Sequence, residues 1–149
     1  MTAALHPELP TDITTIIDDL LRQAGEAERA GDLRRSEDAF LQAWAALPEP
    51  KLGWNFYSNI IPRDNLLFYR DTRQFEKAEK WLAITRESYG PGRNEVIEFL
   101  AATLWYAMGD FDRAYEEFAR QYQAGKKRPF QGEDKKYLDF YLERAGKKP

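Results

Sequence analysis

Residues 109–122 read GDFDRAYEEFARQY, and residues 31–44 read GDLRRSEDAFLQAW. A looser copy, RQFEKAEKWLAITR, occupies residues 73–86, so Gly31, Arg73 and Gly109 fall in register at spacings of 42 and 36 residues. A phrase recurring at such intervals marks a repeat architecture, in which one supersecondary unit is copied and stacked. Two residues after the turn position stands Leu33, Phe75 or Phe111, followed three later by Ser36, Ala78 or Ala114. Then come Phe40, Leu82 or Phe118, and finally Ala43, Thr85 or Gln121. A glycine at the turn suits a left-handed helix C-cap, and the aspartate after it suits an N-cap. The small residue lets two helices approach, and the large one fills the gap to the next unit.

The rest of the chain agrees with a helical reading. Glycine and proline cluster at residues 47–53, 89–93, 124–132 and 145–149. Between these joints apolar residues recur at helical spacing, without the alternation of strands. The first helix is predicted from caps at Thr11 and Asp12 to Gly31, with an inward stripe of Ile13, Ile16, Ile17, Leu20, Leu21, Ala24 and Ala27. The second, capped by Asp32, places Leu33, Ala39, Phe40, Ala43, Trp44 and Leu47 inward and stops at Pro48. A third runs from about Leu52 to Tyr69, with a kink or break expected at Pro62. The fourth carries Phe75, Ala78, Trp81, Leu82 and Thr85, the fifth runs from an Asn94 cap to Met108, and the sixth from an Asp110 cap to about Gln123. A seventh covers roughly Glu133–Ala145, with Tyr137, Leu138, Phe140 and Tyr141 on its apolar side and Lys135, Lys136, Asp139 and Glu143 facing water.

Over about residues 12–145 this pattern resembles the tetratricopeptide-repeat superfamily, whose helix–turn–helix unit spans about 34 residues. The resemblance implies an all-α fold, a right-handed superhelix of about three hairpins closed by a C-terminal capping helix. The expected organisation is a flexible tail at 1–10 and one domain at 11–145. Its hairpins fall at about 12–48, 52–89 and 94–124, with the cap at about 133–145. Ser36 departs from the usual alanine, Arg73 from the turn glycine and Gln121 from a small residue. The middle unit also carries about eight extra residues beyond the family period.

Charge and composition narrow the function. A chain of pI ≈ 5.3 lacks the basic footprint that nucleic-acid binding needs. Its first 50 residues carry a net charge of −6 and the remainder +3. With no cysteine, disulfides, thiolate metal sites and cysteine nucleophiles are excluded. No stretch approaches the ~20 apolar residues of a membrane span, and MTAALHPELPTD is not a secretory signal. The expectation is a cytoplasmic protein with no membrane association.

Catalytic signals are nearly absent. The single histidine, His6, lies in the proline-bearing tail, and no phosphate-loop, zinc-protease, nucleophile-elbow or C-x-x-C motif occurs. Adjacent acids such as Asp18–Asp19, Glu37–Asp38 and Glu116–Glu117 diverge on a helix. QGEDKK at 131–136 lacks the spacing of a calcium loop and reads as a helix start. No catalytic residue, metal or cofactor is expected, and the chain is not read as an enzyme.

The resemblance implies a protein-binding module whose first helices line a concave groove. The family's groove positions fall on Asp18, Leu21, Gly25, Glu28 and Arg29 in the first unit. In the second they fall on Ile60, Arg63, Leu67, Arg70 and Asp71, and in the third on Val96, Phe99, Thr103, Tyr106 and Ala107. Leu21 and Gly25 stand where carboxylate-clamp members hold Lys and Asn, so that clamp is not expected. Arg63, Leu67, Arg70, Phe99, Thr103 and Tyr106 form the candidate interface, since arginine and tyrosine most often anchor contacts. The insert KLGWNFYSNIIPRDN at 51–65 adds Trp54, Tyr57 and Asn59 as candidates for partner-specific contact. The basic run Lys126, Lys127, Arg128 reads as solvated loop, with an acidic patch on the partner as the alternative. The segment RPFQGEDKKYLDFY resembles the ends of small bacterial repeat proteins from toxin–immunity or secretion neighbourhoods. The partner is therefore read as another protein, a toxin or secreted client included. The alternatives are an immunity protein neutralising a cognate toxin and a self-assembling structural protein that forms a homodimer.

Overall fold

The computed structural model describes residues 8–149, and His6 with most of the expected tail lies outside them. Among the described residues seven α-helices form: α1 (Thr11–Arg29), α2 (Leu33–Ala46), α3 (Tyr57–Asp71), α4 (Phe75–Ser88), α5 (Glu95–Met108), α6 (Phe111–Gly125) and α7 (Lys135–Ala145). One 3-10 turn, Arg128–Phe130, lies between α6 and α7. The class is all-α, as the periodicity predicts. Helices pack chiefly as sequential pairs: α1 on α2, α3 on α4 and α5 on α6. The chain divides into two compact units, one ending at Gly90 and one spanning Pro91–Pro149.

The repeated phrase has a common backbone at its three turns. Gly31, Arg73 and Gly109 all adopt positive φ, at 80°, 60° and 84°. An arginine holds the left-handed position in the middle copy, so the register set by the phrase is also the structural register. Asp32 accepts from the Arg35 amide and Asp110 from the Arg113 amide, whereas Gln74 makes no such cap. The frame residues Ser36, Phe40 and Ala43, then Ala78, Leu82 and Thr85, then Ala114, Phe118 and Gln121, are all buried. The two polar departures explain themselves. Ser36 Oγ donates to the Ala24 carbonyl at 2.8 Å, across the first hairpin. Gln121 Nε2 donates to Glu95 O at 3.0 Å and to Glu117 Oε2 at 2.9 Å, tying α6 to the start of α5.

Several boundaries and faces differ from expectation. Pro10, not Thr11 or Asp12, occupies the N-cap of α1 and supplies no side-chain bond. Leu9, expected in a flexible tail, is buried with Ile17, Ala43, Leu47 and Ile61. Ile16 and Leu33, expected inward, are 53% and 46% exposed. The third helix starts at Tyr57 rather than Leu52 because the preceding segment spends its backbone donors elsewhere, Gly53 N on Pro50 O at 3.0 Å and Trp54 N on Ser58 Oγ at 2.8 Å, and Phe56 takes a positive φ of 65°. Side-chain bonds then pin that segment to the end of α2. Lys51 Nζ donates to the carbonyls of Trp44 (2.7 Å) and Leu47 (2.5 Å), where the α2 dipole favours a cation, and Trp54 Nε1 donates to Pro48 O at 2.7 Å. No break occurs at Pro62: α3 runs unbroken through it. The missing amide removes one backbone bond, and packing of buried Ile61, Leu66 and Phe68 holds the helix.

In the second unit α7 packs on α6, starting at Lys135 with Asp134 as N-cap rather than at Glu133. Tyr137 and Tyr141 are buried and Phe140 is half-buried, while Lys135, Lys136, Asp139 and Glu143 are exposed as predicted. Phe130, hidden in the glycine- and lysine-rich loop, is buried among Phe99 (5.1 Å between ring centroids), Phe118 (5.7 Å) and Tyr141 (6.4 Å).

Candidate functional site

The expected groove residues separate into two groups. Those of the first unit line one helix and the turn before it: Trp54, Tyr57, Asn59, Arg63, Leu67 and Arg70 are all half-buried. Half-burial leaves each both a packed stem and a reachable face. Those of the second unit behave differently. Phe99 is 4% exposed and Thr103 fully buried, so neither is available to a partner, correcting the groove assignment. Phe99 packs edge-on against Phe118 at 5.2 Å and meets Tyr137 at 6.3 Å. The Thr103 hydroxyl donates to Leu100 O at 2.7 Å. Tyr106 is half-buried, its ring held between Tyr137 (5.5 Å) and Phe140 (5.2 Å).

Electrostatics along α3 are set by burial. Tyr57 Oη donates to Asp18 Oδ1 at 2.8 Å, joining α3 to α1, and burial together with that bond pushes the phenol up to about 12. Burial likewise pushes the Asp64 carboxyl up to about 6; Arg63 pulls it down and Glu28 pushes it further up. Glu28 is itself raised, first by burial and then by Asp71. Arg70 Nε pairs with Asp71 at 2.8 Å. Elsewhere in the unit, Glu37 accepts from Lys77 Nζ (2.9 Å) and Tyr69 Oη (2.7 Å), bonds that hold its carboxyl below the usual range and link α2 to α4 and α3.

The distribution of unpaired groups is uneven. Among the described residues, the buried side-chain polar atoms without a hydrogen-bond partner are Asn59 Oδ1, Arg63 Nε and Asn65 Oδ1. All three belong to α3. Asn65 is fully buried and spends its amide donor on Ile61 O at 2.9 Å, leaving the acceptor over. Sequence reasoning missed the half-buried Asp64 and its coupling to Glu28, because an acid in a polar run carries no mark of burial. The basic run is exposed at Lys126, Lys127 and Arg128, with the Lys126 ammonium 5.6 Å from the Tyr122 ring centre. Among the described residues no group of three or more His, Cys, Asp or Glu side chains is placed to hold a metal ion, and no helix is long and apolar enough to cross a membrane. No family model, curated protein or solved structure matches the chain.

Proposed function

We propose that the chain is a non-catalytic tetratricopeptide-like module that binds another protein, with α3 as the centre of the interface. In this reading the hairpins stack in a right-handed superhelix and their first helices line its concave side. The observation that carries the reading is the pair of unpaired buried polar atoms on half-exposed residues of α3, at Asn59 and Arg63. Buried polar atoms in folded proteins are nearly always bonded, and each one left over costs about 1–3 kcal/mol. A helix that keeps two such atoms beside half-exposed Tyr57, Leu67 and Arg70 has the composition of a contact surface: aromatic, arginine and adaptable amide.

The test is affinity capture with a variant restricted to this helix. Arg63→Ala combined with Leu67→Ala removes two half-buried side chains of α3, and circular dichroism checks that helicity persists. One protein captured by the wild type and lost by the folded variant supports the reading. A partner retained by the variant refutes the α3 assignment, and a homodimer in place of any captured partner turns the reading to self-assembly.

A further inference from the structure

Tryptophan rings attract cations to their faces, and three of the four tryptophans here already hold one from their own chain. Lys51 Nζ lies 5.6 Å from the Trp44 ring centre, Lys80 Nζ 5.9 Å from Trp81, and the Arg113 guanidinium 4.0 Å from Trp105. Among the described residues no cation lies over Trp54. That ring instead lines a cleft of about 280 Å³ within the first unit, with Asn55, Asn59, Glu87 and Tyr89 among the other walls.

The polar lining points the same way. Among the described residues Glu87 is the one charged residue that lines the cleft, with neither a lysine nor an arginine beside it. Among the described residues the Glu87 carboxylate, the Asn55 amide and the Tyr89 hydroxyl have no hydrogen-bond or ion-pair partner, and Asn59 Oδ1 is buried without one. Helix α4 ends at Ser88, which also lines the cleft, so the negative end of the helix dipole adds to the Glu87 charge. The cleft therefore joins a half-buried tryptophan that holds no cation of its own chain, one net negative charge, acceptors in excess and a helix C-terminus. Each of these favours a cation with N–H donors. The volume lies just under the ~300 Å³ where pockets for larger ligands begin, so it suits a single head group on a short stem.

We propose that this cleft binds an alkylammonium or guanidinium group. The inference goes beyond the partner-protein reading and stands without it, since its test needs no partner. The full-length chain is titrated with methylguanidinium, with n-butylammonium and with neutral methylurea, and followed by amide and indole NMR signals. The Trp54 indole peak is assigned from the spectrum of Trp54→Phe. The expected result is saturable shifts of the Trp54 indole, the Asn59 side-chain amide and the Gly90 amide, with a dissociation constant on the order of 1 mM. Methylurea should shift them little, and Glu87→Gln, at an exposed position where the fold is undisturbed, should weaken binding roughly tenfold. Unsaturable shifts for both cations, or equal binding by methylurea or by the Glu87→Gln variant, would overturn the proposal. Two further arms separate the sources of the same chemistry. Tighter binding of free arginine supports a small-molecule site, and tighter binding of arginine capped at both ends supports a site for a side chain carried by a protein.

Discussion

The same substitution, glycine to alanine, should change stability in opposite directions at positions only a few residues apart. Gly31 and Gly109 hold φ of +80° and +84°, and an added Cβ would meet nothing within 4 Å at either. The cost of alanine there is purely one of backbone conformation, about 1–2 kcal/mol for an L-residue in the left-handed region. Alanine recovers about 0.4–1 kcal/mol by restricting the unfolded chain. The net loss at mid-range is therefore about 0.8 kcal/mol for Gly31→Ala or Gly109→Ala. Gly25 lies inside α1, and a Cβ there meets only the Arg29 Nη1 atom at 3.3 Å, the far end of a flexible side chain. Gly25→Ala should then gain about 0.5–1 kcal/mol from helix propensity. For a chain of this size each kcal/mol moves the melting temperature by about 2–4 °C. Urea unfolding and thermal melts followed by far-UV circular dichroism read all three variants. A neutral Gly31→Ala or Gly109→Ala, or a destabilising Gly25→Ala, would refute the assignment of the turn register.

Three further outcomes follow from the packing. Gln74 stands where Asp32 and Asp110 cap the other two hairpins, so Gln74→Asp should stabilise by about 1 kcal/mol, measured by urea midpoint; no gain would show that the middle turn cannot present a cap. Phe130→Ala should cost about 3–4 kcal/mol, because the ring is 6% exposed amid Phe99 and Phe118; a loss under about 1 kcal/mol would mean the loop is not pinned. Asp64, at about 6, holds its proton more tightly in the folded chain than the ~3.9 of a free aspartate allows. The stability it contributes is thus full below about pH 4 and lost as pH rises through 6. Asp64→Asn should exceed wild type by about 1–2 kcal/mol at neutral pH, after allowance for partial solvent screening, and by nearly nothing at about pH 4. A pH-independent difference between the two urea midpoints would contradict the burial of this group.

The turns were legible in the sequence because their cause is local. A glycine or its substitute in the left-handed region and a capping aspartate need only neighbours a few residues away, so residues 31–36 and 109–114 announce themselves. The start of α3 was not legible, since the segment before it is pinned by bonds from Lys51 and Trp54 back to the end of α2. Phe130 sat in a run of lysine, arginine, proline and glycine that reads as solvated loop, and its burial depends on three other elements. The groove assignment failed at Phe99 and Thr103 for a different reason. The α5 sequence EVIEFLAATLWYAM is apolar nearly all round, and Ile97 and every residue from Phe99 to Trp105 are buried. A helix with no polar stripe gives the sequence no way to say which face is open. On α3, by contrast, polar and apolar residues alternate densely, and Tyr57, Asn59, Arg63, Leu67 and Arg70 are all left half-buried.

The most direct test of the α3 interface is amide hydrogen exchange of the chain with and without its captured partner. The account predicts slowed exchange across residues 52–71, strongest around Asn59–Leu67, with the α5 core unchanged. Protection confined to the exposed loop at 126–128, or to the α7 face, with residues 52–71 exchanging as in the free chain, would contradict it.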